Sequence, residues 1–222
     1  MTRPTLIYFA ARGRAELIRL VLAEAGVDYL EHPVGKDTPP ANGRPTDFAA
    51  LKQSGALAFE AVPVWEEEGG FRLAQSGAIA NHLARLHGLR GKTPREEAQV
   101  DQALGGADDT RLEIRKLVTV APEERAAVRA ELNATVLPRW LGYFDRLLAA
   151  NGGGKTFLVG GGLTVADLAL WYLLELIRDN DLGAPLDHYP ALVAFAARIA
   201  ERPRIAAYLK SARRPALVKL PA

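Results

Sequence analysis

The spacing of apolar residues changes character near residue 84 of the chain. Before that point, short apolar runs alternate with stretches in which apolar residues recur at helical spacing. The pattern predicts a strand, a helix, a strand, a short helix, a β-hairpin and a closing helix, at residues 5–9, 14–26, 28–34, 47–53, 62–65 with 71–73, and 76–87. This order is typical of a small mixed sheet covered by helices.

Beyond residue 93 the apolar residues keep a helical spacing throughout, with Pro and Gly between segments. The pattern predicts helical segments at residues 94–119, 123–150, 165–180, 190–201 and 203–211. We therefore expect an α/β domain at residues 1–84 and an all-helical domain at residues 93–222. A surface loop is expected at residues 35–47, which are rich in Pro, Gly, Asn and Asp.

Composition removes several classes of function. The chain of 222 residues has no cysteine, which excludes disulfides, thiolate metal sites and a cysteine nucleophile. A net charge of +2, without basic residues interleaved with aromatic ones, argues against a nucleic-acid partner. The four histidines lack metal-site spacing, so no metal is expected. No apolar segment has the length of a membrane span or a secretion signal, which predicts a cytoplasmic protein without a membrane partner.

Three segments together resemble the cytosolic glutathione transferases, nearest to the tyrosine-type branch that includes the sigma class. They read YFAARGRAELIRLVLAEAGVDY, AVPVWEEEGGFRLAQSGAIANHLARLHGL and LTVADLALWYLLELI, and they occur in the family's order across both halves of the chain. The first two are specific as a pair, whereas the third is a general signature of the fold. The resemblance implies a thioredoxin-like first domain, an all-helical second domain, glutathione as co-substrate and a homodimer.

Tyr8 and Arg14 lie at the first strand-to-helix junction and are the predicted catalytic residues. The thiol of glutathione has a pKa of about 8.5, so only about 3% is thiolate at pH 7. Lowering that pKa by about two units needs roughly 2.7 kcal/mol, and a phenol hydrogen bond to the anion supplies roughly 1.5 to 3 kcal/mol. Arg14 and the helix N-terminus add positive potential. The alternative is a tyrosine at the edge of the core and a solvated arginine.

Val62 and Pro63 are the second predicted contact with glutathione. In a thioredoxin-like fold, the proline at the start of the third strand is typically cis, and the residue before it offers its backbone N–H and C=O to a peptide ligand. The resemblance assigns this pair to the cysteinyl part of glutathione. Ala61 stands where the family often has a polar side chain, so one contact with the ligand is expected to be missing.

Gln75 and Ser76 precede a helical pattern, which makes Ser76 a predicted N-cap and the helix N-terminus a carboxylate site. The resemblance assigns this pair to the γ-glutamyl carboxylate. It also pairs Lys52 with the glycine carboxylate, although a solvated lysine explains that residue almost as well. By contrast, Thr164 and Asp167 form a predicted capping box that serves the fold alone.

The electrophile site follows from the resemblance only. Its expected lining is Phe9, Ala10, Ala103, Leu104, Ala107 and Arg111. The predicted function is conjugation of the glutathione thiolate to apolar electrophiles. Alternatives are a glutathione-dependent isomerase, a hydroperoxide reductase, or a non-catalytic binder of apolar ligands on the same fold.

One departure concerns the long first helix of the second domain. Several tyrosine-type transferases have a carboxylate there that reaches the γ-glutamyl amine across the dimer interface, and this chain has Gly105 at the corresponding position. Asp101 and Asp108 lie about one turn away on either side, and the sequence leaves open whether either replaces the acid. We expect a homodimer that binds glutathione more weakly than relatives with the acid.

Overall fold

The computed structural model describes residues 3–221 except residues 37, 40 and 42–45. The described chain forms two compact units. The described residues within 1–87 and 207–217 form the first unit, and those within 88–206 and 218–222 form the second. Six residues of the loop predicted at 35–47 (37, 40 and 42–45) lie outside the described residues.

The first unit is built on a four-stranded mixed sheet in the order β2-β1-β3-β4. β1 pairs in parallel with β2 and antiparallel with β3, which pairs antiparallel with β4. Its elements are β1 Thr5–Tyr8, α1 Glu16–Ala25, β2 Leu30–Pro33, α2 Phe48–Gln53, β3 Val64–Glu66, β4 Arg72–Ala74 and α3 Ser76–Leu86. All seven predicted elements are present, with their ends moved by a few residues.

Local chemistry explains how β1 and β2 become parallel neighbours. All four residues of β1 are buried, and the return to the sheet requires a crossover, which α1 supplies with a largely buried face. Gly26 ends α1 in the left-handed conformation, at φ 72°, which glycine adopts without steric cost. Ile7, Val34, Leu57 and Val64 form a buried cluster in this unit. The tyrosine that ends β1 is thereby fixed beside the start of α1.

The second unit is helical in its described residues. Its helices are α4 Pro94–Thr119, α5 Arg125–Glu131, α6 Leu137–Ala150, α7 Val165–Asp179 and α8 Pro190–Ala200, followed by α9 Pro203–Leu209, which crosses into the first unit. α4 packs against α7, and α6 packs against α8. A π-helical segment, Leu132–Val136, joins α5 to α6, so the single helix predicted at 123–150 has an irregular middle. The predicted fold class, thioredoxin-like followed by all-helical, is confirmed.

Capping side chains account for two of these helix starts. Thr93 accepts a hydrogen bond from the Glu96 backbone N–H at 3.2 Å and begins α4. At the start of α7, Thr164 and Asp167 form the predicted capping box. No helix in the described ranges is long and apolar enough to cross a membrane.

The C-terminal tail differs from expectation. The sequence pattern groups residues 93–222 as one helical domain, whereas residues 207–217 belong to the first unit in the structure. The reason is a set of polar contacts with the start of the chain. The Tyr208 hydroxyl and the Arg214 guanidinium both reach the carboxylate of Glu16, and Arg213 donates to the Tyr29 carbonyl. Helical periodicity carries no information about such contacts.

Candidate functional site

Tyr8 lies at the end of β1 with 8% of its surface exposed. The chain then passes through a 3-10 turn at Gly13–Ala15 before α1 begins. In that turn the backbone N–H of Arg14 donates to the Tyr8 hydroxyl oxygen at 2.9 Å. A phenol hydroxyl has one proton and two lone pairs, so accepting this bond leaves its proton available. The junction orients a hydrogen-bond donor.

Gly13 is a residue of this junction whose role the sequence did not reveal. Its φ is +43°, and a Cβ at this position would lie 2.5 Å from the Tyr8 hydroxyl oxygen. Only glycine therefore permits both this backbone conformation and this close approach. The signal in the sequence was a glycine one residue before Arg14, at the point where the helical pattern starts.

The Val62–Pro63 peptide bond is cis, as predicted. Pro63 is buried and Val62 is half-buried, directly before β3. Ala61 is exposed beside them, so the position with the missing polar side chain faces solvent.

Gln75 and Ser76 precede and begin α3, but their capping roles differ from the prediction. The Gln75 carbonyl already accepts from the Ile79 N–H at 2.9 Å, so Gln75 is the N-cap and Ser76 is the first helical residue. The prediction of Ser76 as N-cap is therefore wrong by one position. Gln75 has φ 72°, and its side chain makes no capping hydrogen bond. The first N–H groups of α3 have no intrahelical partner and point toward the space before the helix.

Lys52 lies in the last turn of α2 and forms an ion pair with Glu60 at 3.3 Å. The two side chains are 40% and 72% exposed. Exposed pairs of this kind contribute about 0 to 1 kcal/mol, so the pair costs little to break in favour of another carboxylate. Phe48, one turn earlier, packs edge-on against Phe9 with ring centroids 5.1 Å apart.

The predicted electrophile-site residues are divided between the two units. In the first unit, Phe9 is half-buried and Ala10 is exposed. In the second, Ala103 and Ala107 are buried in α4 and Leu104 is half-buried. The Arg111 guanidinium lies 5.6 Å from the centroid of the Tyr172 ring, on α7. The assignment of these residues to one site stays a prediction.

The acidic residues near Gly105 have partners within α4 and just before it. Asp101 accepts from Arg90 at 2.8 Å, and Asp108 lies 3.6 Å from Arg111. Gly105 is exposed, and a Cβ added there would meet no heavy atom within 4 Å. The described residues contain no group of three His, Cys, Asp or Glu side chains that could hold a metal ion.

The mixed sheet with a cis proline before β3, the tyrosine junction and the helical second unit define a two-domain protein of the thioredoxin-like class. Two family models match the chain: residues 4–85 match "Glutathione S-transferase, N-terminal domain", and residues 108–212 match "Glutathione S-transferase, C-terminal domain". The chain belongs to the glutathione S-transferase family. The enzyme class predicted from the sequence, glutathione transferase, is confirmed with it.

Relatives in this family cover nearly the whole chain. Glutathione S-transferase P 1 of Bufo bufo is 35% identical over 93% of this chain and 91% of its own length. Glutathione S-transferase alpha-2 of Rattus norvegicus is 36% identical, with coverages of 97% and 92%. The solved structure of a pi-class glutathione S-transferase of Onchocerca volvulus superposes with a TM-score of 0.80 at 29% identity, covering 94% of this chain and 93% of that one.

Proposed function

We propose that this protein is a tyrosine-type transferase that conjugates the thiolate of glutathione to apolar electrophiles. The observation that supports this most directly is the Tyr8 hydroxyl, which accepts the Arg14 N–H at 2.9 Å and keeps its own proton for a ligand. The sigma class remains a prediction from the sequence, since the matched relatives cited above bear pi and alpha names.

Tyr8 acts in this proposal as a hydrogen-bond donor and not as a base. Glutathione releases its thiol proton to solvent, and the phenol proton of Tyr8 hydrogen-bonds to the sulfur anion. A bond of this type contributes roughly 1.5 to 3 kcal/mol, which lowers the thiol pKa by about one to two units. Arg14, whose backbone fixes the phenol, adds positive charge near the sulfur.

The thiolate then attacks the electrophilic carbon. In substitution, the new C–S bond replaces the bond to a leaving group, which departs with its electron pair. In Michaelis addition, the C–S bond forms and a proton from solvent completes the adduct. The protein lowers the barrier by supplying the nucleophile in its ionised form near neutral pH.

Binding of glutathione uses backbone groups at the ends of strands and helices. We assign the γ-glutamyl carboxylate to Ser76 and to the uncapped first turn of α3, beside Gln75. The backbone of Val62 holds the cysteinyl part, with Pro63 fixing its orientation. Lys52 exchanges its exposed partner Glu60 for the glycine carboxylate.

A titration tests the proposal. Glutathione is bound to the protein, and the ultraviolet absorbance of its thiolate is followed against pH for the native chain, Tyr8→Phe and Tyr189→Phe. Tyr189 is the matched control, because its hydroxyl donates to the Pro138 carbonyl at 2.7 Å within the helical unit. We expect the midpoint to rise by about one unit or more in Tyr8→Phe only. An unshifted midpoint in Tyr8→Phe would remove Tyr8 from the mechanism.

Turnover separates catalysis from ligand storage. We expect the native chain to be retained on immobilised glutathione and to convert an aromatic halide. Retention without turnover would favour a non-catalytic binder. Turnover of a hydroperoxide or an isomerisable ketone alone would favour the other two glutathione-dependent activities.

The proposal includes a cytoplasmic homodimer with a role in detoxification. Large apolar side chains are exposed in both units, among them Phe59 at 64%, Phe71 at 44% and Tyr143 at 42%. These side chains are available for contact with a second copy of the chain, the assembly that the resemblance to the family implies. Light scattering on the purified chain tests the assembly, and a monomeric mass would contradict it.

A further inference from the structure

The tail segment, residues 207–217, makes its polar contacts at the base of the Tyr8 junction. Arg214 Nε donates to Glu16 Oε1 at 2.8 Å, and the Tyr208 hydroxyl donates to Glu16 Oε2 at 3.0 Å. Nearby, Arg12 Nε donates to the Pro215 carbonyl at 3.1 Å. The tail thus contacts the turn before α1 and the first residue of that helix.

Glu16 is fully buried, with 0% of its surface exposed. A buried carboxylate is tolerated when each oxygen has a charged or hydrogen-bonding partner. Burial, and then the carboxylate itself, raise the pKa of Tyr208 above its ordinary value, so this phenol stays a donor. The cation nearest to Glu16 on its own helix is Arg19, at 3.7 Å, which is a weaker contact than the two from the tail.

Arg19 links Glu16 to the junction. It is 1% exposed, and its guanidinium binds both Glu31 oxygens, at 2.8 and 3.2 Å. Its remaining terminal nitrogen donates to the Ala11 carbonyl at 2.8 Å. The guanidinium carbon lies 5.9 Å from the centroid of the Tyr8 ring. One buried cation therefore contacts the ring of Tyr8 and the backbone that leads to Arg14.

These contacts form a continuous path from the tail to the Tyr8 hydroxyl. The tail neutralises Glu16, Glu16 lies against Arg19, and Arg19 holds the carbonyl of Ala11 three residues before the N–H that bonds to Tyr8. A hydrogen bond to a phenol depends on fixed geometry, and residues 9–12 form no helix or strand of their own. A backbone bond from the Ala11 N–H to the Phe9 carbonyl, at 2.7 Å, holds part of this segment, and the side chains beneath it add to its rigidity.

We propose that Glu16 and Arg19 are positioning residues for Tyr8 and that Tyr208 and Arg214 of the tail hold them in place. Without the tail, Arg19 shifts toward Glu16, the carbonyl of Ala11 is released, and the Arg14 N–H no longer fixes the phenol toward the sulfur. This inference rests on the proposed function, because its readout is the ionisation of bound glutathione.

The test is the thiolate titration of bound glutathione in Tyr208→Phe, which removes one hydroxyl and keeps the ring. We expect the midpoint to rise by about half a unit, with turnover at neutral pH about twofold lower because less of the bound thiol is ionised. Tyr189→Phe, which also loses one internal hydroxyl bond, keeps the native midpoint. A purely structural role for Tyr208 would lower the unfolding temperature and leave the midpoint unchanged.

A second pair of variants covers the case in which Tyr208→Phe does not fold. Arg214→Lys keeps a cation beside Glu16 but loses the guanidinium geometry, and we expect a smaller shift in the same direction. Arg198→Lys is its control, because Arg198 donates to the Gly154 and Thr156 carbonyls in the helical unit, so it leaves the midpoint unchanged. Equal midpoints in both lysine variants and the native chain would overturn the proposal.

The native chain and Tyr8→Phe separate this inference from the function on which it rests. If bound glutathione ionises no more easily than free glutathione, or if Tyr8→Phe leaves its midpoint unchanged, the proposed function fails and this inference fails with it. If Tyr8→Phe shifts the midpoint and Tyr208→Phe does not, only the role of the tail is overturned.

Discussion

The capping box of the helical unit and the tyrosine junction of the first unit both place a buried polar group at a helix start. They differ in whether all hydrogen-bonding capacity of that group is satisfied within the protein. Asp167 is fully buried, and it accepts from the Leu158 N–H, the Thr164 N–H and the Thr164 hydroxyl within 2.8 Å. The Asp167 carboxylate therefore finds its hydrogen-bond partners within the chain. Tyr8 accepts from Arg14, and within the described part of the chain its hydroxyl donates to no residue.

In the proposed function, this difference separates a polar group that serves the fold from one that serves a ligand. Burial alone does not distinguish them, since both residues are largely hidden from solvent. A closed set of hydrogen bonds stabilises the chain without help. An open donor, fixed in direction by a backbone N–H, gains its second partner only when something binds.

The largest effect is expected for Asp167→Ala, which removes the carboxylate of the capping box. Leu158 and Thr164 lose their acceptor in a buried place, and the free energy of unfolding falls by about 3 kcal/mol. Urea unfolding measures it, with Asp109→Ala on the exposed face of α4 as a control that changes stability by less than about 0.5 kcal/mol. Glutathione affinity of the folded variant stays native. If Asp167→Ala lost glutathione affinity and kept native stability, Asp167 would serve the ligand and not the fold.

Gly13→Ala is expected to displace the Tyr8 hydroxyl. The added Cβ would lie 2.5 Å from the Tyr8 hydroxyl oxygen and must displace it, so kcat/KM falls by roughly tenfold or more as the bond to the thiolate weakens. Gly69→Ala is the matched control, because φ is +81° there and nothing lies within 4 Å of its new Cβ. Both variants lose about 1 kcal/mol of stability through the positive φ. Equal values of kcat/KM in the two variants would show that catalysis does not depend on the position of the Tyr8 hydroxyl.

Ser76→Ala and Thr93→Ala are expected to show opposite effects. Ser76 is the first residue of α3 and caps nothing, so its loss lowers stability by less than about 0.5 kcal/mol and weakens glutathione binding by about tenfold. Thr93 caps α4, so its loss costs about 1 kcal/mol of stability and leaves binding unchanged. Calorimetric titration and urea unfolding of both variants check the pattern. If Ser76→Ala and Thr93→Ala weakened glutathione binding equally, Ser76 would have only a structural role.

The smallest effects are expected for Asp101→Asn and Asp108→Asn. Each carboxylate already has an arginine partner, Arg90 and Arg111 respectively, and both side chains are largely exposed, so glutathione affinity changes by less than about threefold. Calorimetry at constant ionic strength measures it. A hundredfold drop in either variant would show that the acid missing at Gly105 has moved to that position.

The sequence predicted elements wherever local signals determine them. α4 occupies the predicted residues, 94–119, because Thr93 caps it and Pro94 suits its first turn. α3 begins at Ser76 as predicted, but its N-cap was misassigned by one residue, because Gln75 adopts a positive φ that no local residue type marks.

Contacts between distant residues set the limit of prediction at the site. Tyr8 and Arg14 were singled out by a motif, whereas the sequence analysis gave Arg19 no role. Its burial depends on Glu31 and on a carboxylate whose partner, Arg214, lies 198 residues away. Periodicity describes which face of a helix is apolar, and it does not record which charged residues pair across the chain.

The return of residues 207–217 to the first unit has a consequence for how the protein is made. Glu16 leaves the ribosome 198 residues ahead of its partner Arg214. At synthesis rates of about 5 to 20 residues per second, that delay is about 10 to 40 s. Throughout this interval the nascent first unit holds a carboxylate without its partners from the tail. Its folding is therefore completed only after the helical unit has been translated, and a chain that stops at residue 206 leaves the first unit unfinished.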